Sequence, residues 1–84
     1  MAGRPVVTLY RREGCPLCDH AMAMLEPLAR RMAFAIEPVD IESDDALHRR
    51  YVYEIPVVAV GGADVIGWPF TPESLEAALR GVLG

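Results

Sequence analysis

The fold of this chain is decided by residues 5–18, which read Pro5-Val6-Val7-Thr8-Leu9-Tyr10-Arg11-Arg12-Glu13-Gly14-Cys15-Pro16-Leu17-Cys18. Residues 5–10 are mostly β-branched and apolar, and they predict a buried strand. Residues 11–14 form a polar loop. A helix is expected from Pro16, because the missing N–H of a proline costs nothing at the first helical position. The only two cysteines of the chain therefore lie where a strand gives way to a helix.

A C-x-x-C pair at a strand-to-helix junction is typical of a thiol–disulfide redox centre. Cys15 is expected at the helix N-terminus, where unpaired backbone N–H groups favour a thiolate over a thiol. Cys18 follows one turn later, close enough to form a disulfide with Cys15, and we expect it to be more buried. We therefore predict that Cys15 is the nucleophile and that Cys18 resolves the mixed disulfide.

Two other interpretations of the pair compete with this one. A structural disulfide that closes so short a loop removes little entropy from the unfolded chain. A zinc site would draw on Cys15, Cys18, His20 and His48, but structural zinc normally uses two such units at set spacing. His20 also points away from Cys18 on a helix. We therefore expect no metal site and treat both histidines as exposed helix residues.

Length and composition limit the function further. The 84 residues predict one domain over 1–84, and the 52% hydrophobic content argues against disorder. The net charge of −4 gives no support for binding nucleic acid. The sequence has neither a secretory signal pattern nor an apolar run of about 18 residues that would span a bilayer. We expect a monomeric, cytoplasmic protein with no membrane partner.

The other helices are predicted from apolar periodicity and capping residues. The first helix is expected to kink at Pro27 without breaking. Its buried face is predicted to comprise Leu17, Ala21, Met24, Leu25, Leu28 and Met32. A short helix capped by Ser43 or Asp44 is expected to end near Tyr51. A last helix is capped by Thr71, and its buried face is predicted to comprise Leu75, Ala78, Leu79 and Val82.

Three more strands are predicted at residues 34–39, 55–60 and 65–68, the last two joined by a glycine-rich turn. The order is therefore β-α-β-α-β-β-α. The helix between strands 1 and 2 predicts a right-handed β-α-β crossover, with strands 1 and 2 parallel. We predict an α/β fold, a four-stranded mixed sheet flanked by helices on both faces.

With its motifs in this order, the chain resembles the glutaredoxins of the thioredoxin-like superfamily over essentially its whole length. The resemblance rests on residues 9–18, on Ile55-Pro56-Val57 and on residues 61–67. It implies that Cys15 attacks a substrate disulfide and that Cys18 resolves the product. It also implies that Arg12, three residues before Cys15, supports the thiolate and a substrate carboxylate.

The resemblance further implies a substrate groove with a cis-proline at Pro56. Ile55 would offer its backbone N–H and C=O groups to an extended peptide or to glutathione. Leu17 and Trp68 complete the predicted substrate-binding residues. The alternative for Trp68 is packing at the edge of the core, since large aromatic rings are mostly buried.

Four residues depart from the usual glutaredoxin pattern. Leu17 replaces tyrosine or phenylalanine, and Glu54 replaces the threonine two residues before the cis-proline. Trp68 stands where the second residue of a Gly-Gly pair is usual, and Thr71 stands where the family has an acidic cap. Leu17 and this ending resemble a short bacterial glutaredoxin-like subgroup with the motif C-P-L-C. Because the family's Gly-Gly pair and acidic cap hold glutathione, we expect weak glutathione binding.

The sequence thus predicts a small thiol–disulfide oxidoreductase that reduces protein disulfides or glutathione mixed disulfides. No bound cofactor is expected, and either glutathione or a reductase would restore the dithiol. One alternative is a non-catalytic module of the same fold that binds a partner peptide at Ile55. Another is a glutaredoxin-like protein that binds a metal or an iron–sulfur cluster, shared between two subunits through Cys15.

Overall fold

The computed structural model, which describes residues 3–84, contains the predicted elements in the predicted order. They are β1 (Val6–Arg11), α1 (Pro16–Met32), β2 (Ala35–Asp40), α2 (Asp45–Tyr51), β3 (Val57–Val60), β4 (Ala63–Gly67) and α3 (Pro72–Leu83). A single 3-10 turn at Ile41–Ser43 precedes α2. Among residues 3–84 no helix is both long and apolar enough to cross a membrane.

The four strands form one sheet in the order β2-β1-β3-β4. β1 pairs with β2 in parallel and with β3 in antiparallel fashion, and β3 and β4 form an antiparallel hairpin. The predicted mixed sheet, parallel first pair and hairpin are therefore confirmed. In this arrangement the ends of β1, β2 and β4 lie at the same end of the sheet as the start of β3. We call it the cysteine end, because the loop after β1 leads to Cys15.

One face of the sheet is covered by α1 and α3, which enclose what we call the large core. Its buried residues are Val7, Leu9, Ala21, Leu25, Leu28, Phe34, Val58, Phe70, Leu75 and Leu79. Val7 and Leu9 both face it, since alternate residues of a strand point to the same side.

Two predicted core positions are wrong. Leu17 is 43% exposed, and Cys18, completely buried, begins the buried stripe of α1 instead. A residue one position along a helix is rotated by about 100°, so Leu17 falls outside that stripe. Val82 is 51% exposed, while Leu83 packs against the large core, in line with Leu75 and Leu79 at intervals of four residues.

The opposite face is covered by α2 and the 3-10 turn, which enclose the small core. Its buried residues are Ile41, Tyr51 and Val57, and partly buried Tyr10, Leu47, Val52 and Ile55 pack around them. Helices thus flank the sheet on both faces, as predicted.

Capping explains where the helices begin. Asp44 accepts the N–H groups of Ala46 and Leu47 at the start of α2. Thr71 and Ser74 form a reciprocal capping box at the start of α3. The apolar stripe of α1 keeps the helix continuous through Pro27, which lies inside it without ending it.

Candidate active site

Cys15 is the N-cap residue of α1 and forms a disulfide with Cys18, with the two Cα atoms 5.2 Å apart. Its Sγ accepts the backbone N–H of Cys18 at 3.2 Å. Gly14, which precedes it, has a φ of 70°, a left-handed conformation that glycine adopts without a Cβ clash. The sulfur of Cys15 therefore lies among the unpaired N–H donors of a helix N-terminus. Such donors favour a thiolate once the disulfide is reduced.

The two cysteines differ in exposure. Cys18 has no solvent-accessible surface, whereas Cys15 is only half-buried. A substrate can reach Cys15 from solvent and cannot reach Cys18. This difference supports the predicted division into nucleophile and resolving cysteine.

Strand register brings the other predicted site residues to the cysteine end. Tyr10 pairs with Val57, so the loop after β1 lies beside the segment that precedes β3. The backbone N–H of Trp68 donates to the carbonyl of Pro56 at 3.1 Å. The residues that share this end of the sheet are therefore Arg12, Cys15, Leu17, Ile55, Pro56 and Trp68.

The segment before β3 differs in one respect from expectation. The N–H of Ile55 donates to the carbonyl of Tyr51 at 3.0 Å, and Glu54 donates to the same carbonyl. The expectation that both backbone groups of Ile55 are free is therefore wrong for the N–H, because the turn that ends α2 uses it. Within residues 3–84, no donor bonds the Ile55 carbonyl, which leaves that group for a ligand.

Pro56 is fully buried, and Ile55 is half-buried. The peptide bond is cis at Ile55–Pro56, where the sequence predicts one, and also at Trp68–Pro69, for which it makes no prediction.

Arg12 and Leu17 lie at the surface of this end. Arg12 is exposed, and among the described residues it forms no ion pair; its neighbour Arg11 approaches Glu13 at 3.9 Å. Leu17 presents an apolar side chain one position from the buried Cys18. Substrate contact by either residue stays a prediction.

Trp68 packs against the edge of the large core. Its ring meets Phe70 edge-on, with centroids 5.1 Å apart, and it contacts the large core. Directly after it, the N–H of Thr71 donates to Ser74 Oγ at 2.9 Å, and the N–H of Ser74 donates to Thr71 Oγ1 at 3.0 Å. Two backbone donors at the start of α3 are therefore already satisfied.

Sequence reasoning missed a polar group behind the site. Tyr51, 4% exposed, donates its hydroxyl to Asp64 Oδ1 at 2.8 Å and stacks on Tyr10 with centroids 4.3 Å apart. Arg50 binds the other Asp64 oxygen at 2.9 Å. Burial raises the pKa of Tyr51 above 10.0, and the hydrogen bond to Asp64 raises that pKa further. The only sequence signal for this hydrogen-bonded group is an aromatic residue, Tyr51, at the predicted end of a helix.

A shallow depression of about 310 Å³ on the outer side of α1 is lined by Pro16, Asp19, His20 and Ala23. His20 is exposed, as predicted, whereas His48 is partly buried, so the expectation of two exposed histidines is wrong for His48. In the described part of the chain, no three His, Cys, Asp or Glu side chains are grouped as metal ligands.

Known proteins share this architecture. Residues 6–80 match the family described as glutaredoxin-like domain (DUF836). The X-ray structure of protein XcR50 from X. campestris is 37% identical and has a TM-score of 0.78, covering 90% of this chain and 97% of that one. Protein Ne2328 from Nitrosomonas europaea is 26% identical, with a TM-score of 0.75 over 92% of this chain and 93% of its own. A glutaredoxin from Archaeoglobus fulgidus, 24% identical, shares the fold with a TM-score of 0.59 over 93% and 89% of the two chains.

Proposed function

The chain belongs to the family of glutaredoxin-like domains (DUF836), and from this premise we propose that it is a small thiol–disulfide oxidoreductase. One observation carries the proposal: a half-buried cysteine caps a helix N-terminus, and its disulfide partner is completely buried one turn later. A structural disulfide needs no such asymmetry between its two sulfur atoms.

The reaction begins with the reduced pair. The Cys15 thiolate attacks a substrate disulfide and forms a mixed disulfide with one substrate sulfur. The substrate S–S bond breaks, and the other substrate sulfur leaves as a thiolate that takes up a proton. Cys18 then loses its proton and attacks the sulfur of Cys15. The intramolecular disulfide forms and the second substrate thiol is released. Two electrons have passed from the dithiol to the substrate, and a thiol reductant, either glutathione or a reductase, must return them.

Protein disulfides are the proposed substrate class. The free carbonyl of Ile55 suits the N–H of an extended peptide laid beside Cys15. Glutathione fits less well, because the capping box occupies two donors at the start of α3 and Trp68 is packed on Phe70. A reducing compartment, the cytoplasm, is the proposed place of action, since a pair of this kind needs thiol reductants to recycle.

The proposal is tested with Cys15→Ser and Cys18→Ser, each mixed with a disulfide-containing peptide and followed by intact-mass measurement. Cys15→Ser should form no adduct. Cys18→Ser should accumulate a mixed disulfide, because nothing resolves it. The opposite pattern would reverse the two roles. A wild-type protein that binds the peptide without exchanging its disulfide would instead be a non-catalytic binding module.

The substrate class is tested by comparing two assays on the wild-type protein. We expect faster turnover of the peptide disulfide than of glutathione in a glutathione-coupled assay. Tight and saturable glutathione turnover would contradict this preference while leaving the oxidoreductase proposal intact. An iron content and visible absorbance in the purified protein would point to the cluster-binding alternative.

A further inference from the structure

Tyr51 contacts three separate parts of the fold: β1, β4 and the segment before β3. Its ring stacks on Tyr10, the residue of β1 that precedes the loop to Cys15, with an interplanar angle of 16°. Its hydroxyl bonds Asp64 on β4. Its carbonyl accepts the N–H of Ile55, the residue before the buried Pro56. One side chain and its own backbone thus join β1, β4 and the substrate-facing segment.

Tyr51 makes polar contacts as well as apolar ones. Asp64 receives the Tyr51 hydroxyl on one oxygen and Arg50 on the other, and the Arg50 guanidinium lies 5.0 Å from the centre of the Tyr51 ring. A buried hydroxyl with a charged acceptor fixes direction as well as distance, which apolar contact does not. Hydrogen bonds therefore hold Tyr51 both at its side-chain hydroxyl and at its backbone carbonyl.

We propose that Tyr51, held by Asp64, is a positioning residue that fixes Ile55 so that its free carbonyl meets an extended peptide beside Cys15. The inference rests on the proposed function and deepens it, because it assigns peptide recognition to a contact behind the site. Tyr51 itself, being buried, does not touch the substrate. A small disulfide that needs only Cys15 gains nothing from this contact.

The test compares two substrates in Tyr51→Phe, which keeps the ring and its stack but removes the hydroxyl. The KM for a disulfide-containing peptide should rise about three- to tenfold, because a smaller fraction of molecules holds Ile55 correctly. The rate constant with oxidised dithiothreitol and the Cys15–Cys18 reduction potential should stay unchanged. Asp64→Ala should behave like Tyr51→Phe. Asp64→Asn keeps an acceptor and should recover most of the wild-type KM.

Glu76→Gln is the matched control. Glu76 also accepts hydrogen bonds from two partners, Arg31 and Arg80, but it joins α1 to α3 outside the cysteine end. It should change neither substrate's kinetics. A Tyr51→Phe protein that is less stable but has an unchanged ratio of peptide to small-disulfide activity would overturn the proposal. Equal losses on both substrates would overturn it as well.

Amide hydrogen exchange separates this inference from the proposed function. The Ile55 amide should exchange faster in Tyr51→Phe, while the Phe34 amide, which bonds Ala29 at the end of α1, should not change. If the wild-type protein reduced no disulfide, the proposed function would fail and the Ile55 amide would still decide the positioning. An Ile55 amide that exchanges at the same rate in both proteins would overturn the positioning role.

Discussion

The large core and the small core lie on opposite faces of one sheet and are built differently. Among residues 3–84, the large core contains ten buried residues, all of them apolar. The small core contains three, and one of these is Tyr51, whose hydroxyl bonds Asp64. Burial of apolar area is non-directional and stabilises any arrangement that excludes water, whereas a hydrogen bond to a carboxylate also fixes an orientation.

The proposed active site lies at the boundary between these two regions. Cys18 begins the buried stripe of α1 that continues into the large core, so the redox helix is anchored there. Ile55 packs against the small core, so the segment proposed to face the substrate is anchored on the other side. The comparison therefore predicts that the large core supplies most of the stability and that the small core sets the proposed substrate geometry.

The largest expected effect comes from breaking the large core. Leu25 is completely buried in it, and Leu25→Ala should cost about 2–5 kcal/mol in the free energy of unfolding, since a cavity adds to the lost burial. Urea unfolding measures this loss. Per folded molecule, the ratio of peptide-disulfide activity to small-disulfide activity should stay unchanged. A selective loss of peptide activity would mean that the two cores do not divide their roles as described.

Next in size is the loss of the Tyr51 hydroxyl. Tyr51→Phe should cost about 1.5–3 kcal/mol at neutral pH, the range for a hydrogen bond to a charged group. Because the pKa of Tyr51 is raised in the folded state, the contribution of its hydroxyl to stability depends on pH. The contribution is complete below pH 10.0 and decreases as the pH rises toward the folded-state pKa, because the tyrosine ionises first in the unfolded chain. Asp64, Arg50 and Tyr10 are the groups that face the hydroxyl or its ring.

The measurement is urea unfolding of the wild-type protein and Tyr51→Phe between pH 8 and pH 11. The difference in stability between the two proteins should shrink above pH 10.0. A difference that stays constant through this range would show that the hydroxyl is equally protonated in the folded and unfolded states.

The same division explains how much the sequence could predict. The α1 side of the large core follows helical periodicity, so the sequence correctly predicts that Ala21, Leu25 and Leu28 are buried. The C-x-x-C spacing locates both cysteines. The prediction that Leu17 lies on the buried face of α1 is wrong, because residue spacing alone does not show at which residue that face begins.

The hydrogen bonds of the small core are not predictable from the sequence, for a different reason. Tyr51 and Asp64 are 13 residues apart and meet only when the hairpin folds against α2. The N–H of Ile55 was expected to be free because a motif does not reveal which carbonyl a turn will use. Both errors concern hydrogen bonds set by tertiary geometry, which local sequence patterns do not encode.

A smaller effect is expected at the start of α3, on the large-core side. Thr71→Ala removes the acceptor of the Ser74 N–H and should cost about 0.5–2 kcal/mol, the usual range for an N-cap. Thermal unfolding gives the change. The KM for a peptide disulfide should not move, because α3 packs on the large core. A raised KM would show that the start of α3 takes part in substrate binding.

The smallest effect belongs to the surface ion pairs of Glu76, one with Arg80 within α3 and one with Arg31 on α1. Glu76 accepts hydrogen bonds from Arg80 and Arg31, and the Arg80 bond lowers the pKa of Glu76 below 4.5. Its contribution is therefore present above pH 4.5 and is lost as the pH falls through the folded-state pKa. Exposed pairs contribute little, because water and salt screen them. Glu76→Gln should lower the midpoint of thermal unfolding only slightly at pH 7, and the difference from wild type should vanish at low pH or in high salt. A large, salt-independent loss would mean that directional polar contacts also hold the large-core side together, and the contrast between the two faces would then fail.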